Sequence, residues 1–535
     1  MRIAITGFRG ANKALHAKLL PDTGVGAESL NQKPGRGDLR PWNVPLQVAT
    51  VPNLVQRKTI YRMGRDVPND ASYWLSWTTP VHAMRGFNAT DTTEKTYYTG
   101  DGPPKWTDNT KALASAPYPT AWRLLGVPAP TTQCVLAINT NGTGTDETRF
   151  YVHTFVTDEG EESAPSPVSA SLTCKPGAII DITNLPDAPA GSYGINRRRI
   201  YRTQVGKTST EFYFLREVAI GVTSTQDDAR ALGEVPPTAT WAIPPVDGHG
   251  LIPLWNGMAS MVSGKSIRYC VPNTLYAWPL DYELLTNDTI VGQAAYGQTQ
   301  VVLTTGSAYT VTGQEPSSMS QMDLDGGFAC VSEASIVSVK HGIVWASPDG
   351  LAYTGTAGPT RLLTSGLLMP EDWRALAPTT IVGCQFAGLY FGFYNDGSGL
   401  KGFIIDPIDP QGIYFLSTGY NAAFFDTITN ALYVLDGGNI KKWDADTSLM
   451  VASFKSKVHR APNPTNFAVA QVVADAFPVT VKLYADGALK ITKTVADGSP
   501  WNLPKDFLAD DWQVEVSCAG AVQGVMLGET VDDLE

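Results

Sequence analysis

Between Met261 and Asp444 the apolar positions fall into short alternating runs that repeat. The runs centre near Met261, Val301, Ile343, Tyr390 and Leu432, at spacings of 40, 42, 47 and 42 residues. Successive residues of a strand point to opposite faces, and here both faces are apolar. Ile343 and Trp345 oppose Val344 and Ala346. Leu389, Phe391 and Phe393 oppose Tyr390 and Tyr394, and Ala431, Tyr433 and Leu435 oppose Leu432 and Val434. Turn residues follow each run: Ser347-Pro348-Asp349-Gly350, Asn395–Gly399 and Asp436-Gly437-Gly438-Asn439. Hairpins covered on two sides and returning about every 40–50 residues predict stacked β-propeller blades, about five to seven in number.

The pattern divides the rest of the chain. Residues 1–57 carry Pro21, Pro34, Pro41, Pro45 and Pro52 with Gly24, Gly26, Gly35 and Gly37 between them, and little periodicity. They predict an extended N-terminal arm, ordered only by lying on its own core or on a neighbouring subunit. Ala11–Leu20 is the best helix candidate, a surface helix at most. Residues 58–130 read as first propeller strands at Lys58–Arg65, Ser72–Phe87 and Lys95–Thr107. Residues 131–245 break the period: Tyr151, His153, Phe155 and Thr157 alternate with Val152, Thr154 and Val156, an acidic turn Asp158–Glu162 leads into a Pro-blunted strand, and strands follow at Ala178–Thr183, Gly194–Thr203, Glu211–Ile220 and Trp241–Ile243. Short strands at this spacing predict an inserted β-sandwich, and the turn "TDEGEESAPS" resembles one of fibronectin type III domains. Residues 246–446 hold the main blades. In 447–535, Val479, Val481 and Leu483 alternate with Thr480, Lys482 and Tyr484, Asp486-Gly487 turns into Leu489–Thr494, and a second hairpin is expected at Trp512–Ser517 and Val522–Leu527. The expected fold is all-β: a β-propeller with an inserted fibronectin/Ig-like β-sandwich and a small C-terminal β-domain.

Composition narrows the function. Charged residues make up 17% and hydrophobic ones 43%, with 50 Gly and 37 Pro, which suits many strands on tight turns and a large core. A net charge of −11 argues against a dedicated nucleic-acid binder. The charge is uneven: residues 1–60 hold nine Lys/Arg and three Asp/Glu, whereas the last 40 residues hold nine acids and only Lys505. Two differently solvated surfaces explain this, as does a basic attachment end opposite an acidic, DNA-repelling end. Six cysteines at wide spacing, with no CxxC pair, read as reduced thiols. Met1–Gly10 lacks an apolar run of signal-peptide length and no stretch approaches a membrane span, so folding in a cytosol is expected.

Candidate chemistry is thin. Met1–Gly10 looks like the opening of a dinucleotide fold, but Lys13 stands at the third glycine position and no βαβ unit follows. Arg36-Gly37-Asp38 is explained by a glycine turn. The acceptor triplets at Asn88, Asn141 and Asn287 need a secretory route. Arg197, Arg198, Arg199 and Arg202 form a basic knot, read as a solvated sandwich face rather than a carboxylate-binding surface. Six scattered histidines (16, 82, 153, 249, 341, 459) form no metal-ligand spacing, and no GxSxG elbow occurs. Tyr390, Phe391, Phe393 and Tyr394 suit blade packing better than a sugar-stacking shelf. No catalytic, cofactor-binding or metal residue is expected, and the binding residues stay open.

"YPTAWRLLGVPAP" (118–130), "YVHTFVTDEGEESAPSP" (151–167), "LYAWPLDYELLTNDTIVG" (275–292), "GQEPSSMSQMDL" (313–324), "SPDGLAYT" (347–354) and "LPKDFLADDWQVEVS" (503–517) follow in this order. Together they resemble the tail nozzle (tail tubular protein B-type) virion structural proteins of short-tailed bacteriophages, along nearly the whole chain. The resemblance implies a non-enzymatic subunit of a hexameric ring in the virion tail, assembled in the host cytoplasm. Its partners would be copies of itself, the adaptor or portal-proximal protein above and a tail fibre or spike. Double-stranded DNA would pass through without specific binding. The alternative is a tail-associated carbohydrate-binding or depolymerase propeller acting on the host surface.

Overall fold

The computed structural model describes residues 2–52, 56–64, 69–204, 211–229, 231–236, 240–356, 358–504 and 506–534. Lys505 lies outside them. The chain is nearly all β and divides into two compact units, residues 1–80, 291–310 and 322–535, and residues 81–290 with 311–321.

In the first unit, strands Val337–Val339, Gly342–Ala346, Leu351–Gly355 and Gly358–Leu362 form an antiparallel meander. Val382–Phe386, Leu389–Asn395, Leu400–Ile405 and Tyr414–Leu416 form the next. Ala423–Asp426, Ala431–Asp436 and Asn439–Lys442 form a third, completed on its open edge by Leu46–Thr50 from the far end of the chain. Both faces of these strands are buried, as the apolar runs require: Ile343, Val344, Trp345 and Ala346 have no exposed surface, nor do Tyr390, Phe391 and Phe393. Asp436 and Asn439 face each other across a two-residue turn whose first glycine, Gly437, takes a positive φ of 61°.

The C-terminal region is a sandwich of two sheets around one core. One sheet runs Arg2–Ile5, Val522–Gly528, Val469–Ala474, Trp501–Asn502. The other contains Ala452–Lys455, Ala509–Cys518, Val479–Ala485 and Ala488–Val495 in that order, with His459–Thr465 also pairing Ala509–Cys518. Strict alternation along Val479–Ala485 puts Val479, Val481 and Leu483 into the core. The hairpin expected between Trp512–Ser517 and Val522–Leu527 is absent. Those strands belong to opposite sheets, because the chain crosses the sandwich at Cys518–Val522 and each strand pairs with others instead.

The N-terminal arm is woven into this unit. Arg2–Ile5 pairs Val522–Gly528. Glu28–Leu30 lies between Tyr414–Leu416 on one side and Ala452–Lys455 on the other, joining a meander sheet to the C-terminal sheet. The arm lies on its own core, one of the two supports foreseen for it. Ala11–Leu20 forms no helix. The Ala11 N–H donates to the Ile413 carbonyl and those of Lys13 and Ala14 to Leu367, so the donors that a first helical turn would orient are committed elsewhere.

In the second unit, His82–Arg85, Thr96–Thr99, Lys105–Thr107 and Arg123–Leu124 make one meander sheet, and His249–Pro253, Ala259–Ser263, Ser266–Tyr269 and Glu283–Leu285 another. The insertion lies between them in sequence. Its three-stranded sheets, Val135–Thr140/Ile179–Thr183/Thr225–Asp227 and Tyr151–Thr157/Ile195–Thr203/Phe212–Ala219, share a core of Tyr151, Ile180, Ile182 and Ile200. Trp241–Ile243 is not a strand.

The segment after the acidic turn is not a strand either. Ser163, Ser166 and Ser169 bind Phe155, His153 and Tyr151 in turn. Each serine N–H donates to the strand carbonyl (2.9, 2.8 and 2.9 Å), and each Oγ accepts from the same residue's N–H (2.9, 3.1 and 3.0 Å). Three residues of the segment thus serve two of the strand. Pro165 and Pro167, which cannot donate, fall where no donor is needed. Ser166→Ala leaves the His153 N–H buried and unpaired. It is expected to cost about 1–3 kcal/mol, read as a lower urea midpoint at unchanged slope.

Candidate functional site

Two arginines of the basic knot, Arg198 and Arg202, are buried, while Arg197 and Arg199 stay partly exposed on the solvated face expected of the run. Arg202 Nη1 lies 2.6 Å from Asp227 Oδ2 and Arg149 Nη1 3.4 Å from it, while the Tyr151 hydroxyl donates to the same oxygen at 2.6 Å. Asp227 has no exposed surface. Burial, then the Asp227 charge, holds the Tyr151 hydroxyl well above its ordinary pKa, so it stays a donor. Arg198 is also fully buried and donates to the carbonyls of Val222 (2.8 Å) and Pro186. Arg197 and Arg199 lie on the other face, both paired to Glu217. The partners come from far along the chain, so the sequence run alone could not reveal them.

The acidic turn meets a cation at each carboxylate. Asp158 binds Arg123 at 2.7 Å, Glu159 approaches Lys111 at 3.8 Å, Glu161 binds Lys95 at 2.9 Å and Glu162 binds Arg199 at 2.7 Å. Lys95 and Lys111 also stand over the Trp106 ring, at 3.8 and 4.8 Å. The turn therefore ties the inserted sandwich to the sheet that precedes it in sequence. Burial raises the Glu161 pKa despite Lys95.

His153 is fully buried and neither ring nitrogen has a hydrogen-bond partner among the described residues. Burial, then the Arg198 charge, lowers its pKa to about 4 from an ordinary 6.5. The unfolded chain takes up a proton near 6.5 that the fold refuses until about 4. Stability is expected to fall as pH drops across that window and to level off below it, by up to about 3 kcal/mol. Urea melts of wild type and His153→Phe near neutral pH and near the lower limit check this: the variant should lose that component of the pH dependence.

In the first unit, a cleft of about 610 Å³ opens between the Lys33–Gly37 loop and residues 386–389 and 406–414. Arg9 Nη1 donates to Gln411 Oε1 at 2.9 Å, and Gln411 Nε2 to Asp409 Oδ2 at 2.8 Å. Lys33 pairs with Asp444 and stands 4.8 Å over the Trp42 ring. Asp406 Oδ1 accepts from the N–H groups of Ile408 (2.9 Å) and Asp409 (3.3 Å). Burial, with Asp406 alongside, pushes the Tyr414 hydroxyl up to about 12. Arg36 is exposed, in the tripeptide singled out in the sequence, whose Asp38 is folded back onto Arg40 at 2.8 Å.

The remaining sequence candidates are structural. Arg2–Ile5 is an antiparallel strand beside Val522–Gly528, with no dinucleotide fold around it. Ser347 Oγ donates to the Gly350 carbonyl at 2.8 Å and closes its turn. Tyr390, Phe391, Phe393 and Tyr394 are core, which leaves no exposed sugar-stacking shelf at these four rings. All six cysteines are buried and unbridged. Among the described residues no group of His, Cys, Asp and Glu is placed to hold a metal ion, and no helix is long and apolar enough to cross a membrane.

No family model matches the sequence, and no curated protein does. Among solved structures, AztD of Citrobacter koseri is 12% identical, over 70% of this chain and 99% of its own, at a TM-score of 0.27. PorZ, a surface component of the type-IX secretion system of Porphyromonas gingivalis, is 12% identical, over 86% of this chain and 77% of its own, at 0.26. Hsv2 of Kluyvelomyces marxianus is 8% identical, over 48% and 69%, at 0.24. Likenesses of this size assign no function.

Proposed function

We propose that the chain is a structural component of a short-tailed phage tail: a nozzle subunit that assembles, six to a ring, below the portal and adaptor, and through which genomic DNA is retained and ejected. The observation that carries the reading is the succession of short antiparallel sheets, the last completed by the N-terminal strand Leu46–Thr50. Such a succession suits a propeller, with a sandwich inserted after Leu124 and a C-terminal β-domain. Seven sheet segments follow one another among the described residues, counting the pair Thr59–Arg62/Trp74–Trp77 and the sheet Ile290–Tyr296/Thr299–Thr304/Ala308–Thr312/Ser320–Asp323. The ordered phrases of the sequence point the same way.

The physical requirements agree. A DNA conduit should not trap its cargo, and a net charge of −11 disfavours the counterion-driven binding that Lys/Arg-rich surfaces produce. Negative-stain images of the purified protein at micromolar concentration test the reading. Six-fold rings with an axial hole support it. Monomers that depolymerise host-surface polysaccharide support the enzymatic alternative and remove the nozzle.

A further inference from the structure

We propose that the cleft between the Lys33–Gly37 loop and Tyr414 binds a neutral saccharide, because unspent hydrogen-bonding groups of both kinds meet there on a partly apolar floor with no net charge.

Three cations line the cleft, Arg9, Lys33 and Arg36, and three carboxylates, Asp406, Asp409 and Asp444. Their formal charges cancel. A phosphate, a nucleotide or a polyacid would gain from the cations and lose to the carboxylates, so a strongly charged ligand of either sign is disfavoured. Several of these groups already serve the fold, and what they leave over defines the ligand. Lys33 and Asp444 satisfy each other. Arg36 makes no hydrogen bond or ion pair with the described residues and stands between Gly35 and Gly37. A Cβ at either glycine would meet nothing within 4 Å, and Arg36 itself is exposed. Tyr414 is almost wholly buried yet lines the cleft, and its hydroxyl makes no hydrogen bond with the described residues and stays protonated at neutral pH. Asp406 caps its turn through Oδ1, which leaves Oδ2 as an acceptor.

Free planar donors and free carboxylate oxygens within one cleft match a ligand that carries donors and acceptors together, as the adjacent hydroxyls of a sugar do. The floor supplies the other half. Phe386 and Leu389 are half-buried there, a surface for the apolar face of a pyranose ring. The volume is in the range of small-ligand sites. Nothing in this argument depends on ring assembly, so sugar binding and the nozzle reading stand or fall by different measurements.

Calorimetric titration of the full chain tests it, with maltotetraose, cellotetraose, laminaritetraose and chitotetraose as probes and trigalacturonate as the anionic control. Saturable binding of at least one neutral tetrasaccharide is expected, weakened about tenfold or more in Arg36→Ala and in Asp406→Asn. Arg36 is exposed on a glycine loop, and the amide at 406 keeps the turn-capping oxygen, so both variants should melt with the wild type. If Asp406→Asn does not fold, Arg36→Ala alone decides. No binding by any neutral probe, tighter binding of trigalacturonate, or affinity unchanged in a folded Arg36→Ala overturns the proposal.

Discussion

A chain lacking residues 1–50 is expected to lose its cooperative fold, not merely an attachment arm. The deletion removes Arg2–Ile5 from the edge of one C-terminal sheet and Leu46–Thr50 from the last meander sheet. It also removes Glu28–Leu30, whose two ladders join Tyr414–Leu416 to Ala452–Lys455. Ile3, Ile5, Phe8, Leu20, Leu39 and Trp42 go with it, all nearly or fully buried. At about 1.5–3 kcal/mol for each large apolar side chain, those six account for roughly 9–18 kcal/mol as an upper estimate. That is comparable to the whole stability of about 5–15 kcal/mol usual for a folded domain. Trp42 alone packs edge-on against Phe391 and Trp443, at 5.8 and 5.6 Å between ring centroids. Thermal melts and limited proteolysis of the truncated chain check this. A soluble product that melts cooperatively at the wild-type temperature would show the arm to be dispensable.

The same segment marks where sequence reading stopped. The meander strands were legible because their local patterns match their environments: both faces apolar in Gly342–Ala346, strict alternation in Val479–Ala485, and a turn dipeptide at Asp486-Gly487, where both residues take positive φ. Each of those signals is contained within about ten residues. The arm has no such signal. Glu28–Leu30 is a three-residue strand whose partners, Tyr414–Leu416 and Ala452–Lys455, lie at the far end of the sequence, and its order comes from ladders that no local window contains. Long-range pairing also separated Ala509–Cys518 from Val522–Gly528, which read as a hairpin by proximity alone. In the cleft the single legible group was Arg36, noticed for a tripeptide unrelated to its setting. Tyr414 and Asp406 carry no sequence signal, since a strand tyrosine and a turn aspartate are ordinary in either role. The serine spacing 163, 166, 169 predicts no element, because three-residue periodicity belongs to neither helix nor strand.

Asp227→Ala is expected to cost roughly 3–5 kcal/mol of stability, the largest effect of any single substitution in the inserted sandwich. The carboxylate is fully buried and accepts from Arg202, Arg149 and the Tyr151 hydroxyl at once. Removing it leaves the Arg202 side chain, itself 9% exposed, without the only carboxylate it is paired to among the described residues. Arg149 keeps Glu147 at 2.6 Å, so the loss falls mainly on Arg202. The mechanism makes a second, sharper forecast. Once the charge on both sides is gone, the desolvation cost goes too, so Asp227→Leu combined with Arg202→Leu should be less destabilised than Asp227→Ala alone. A purely steric account, in which the site fails because a side chain is missing or misshapen, requires the double variant to be the worse of the two. Urea unfolding followed by near-ultraviolet circular dichroism separates them, and a double variant less stable than the single one would sink the electrostatic explanation of the knot.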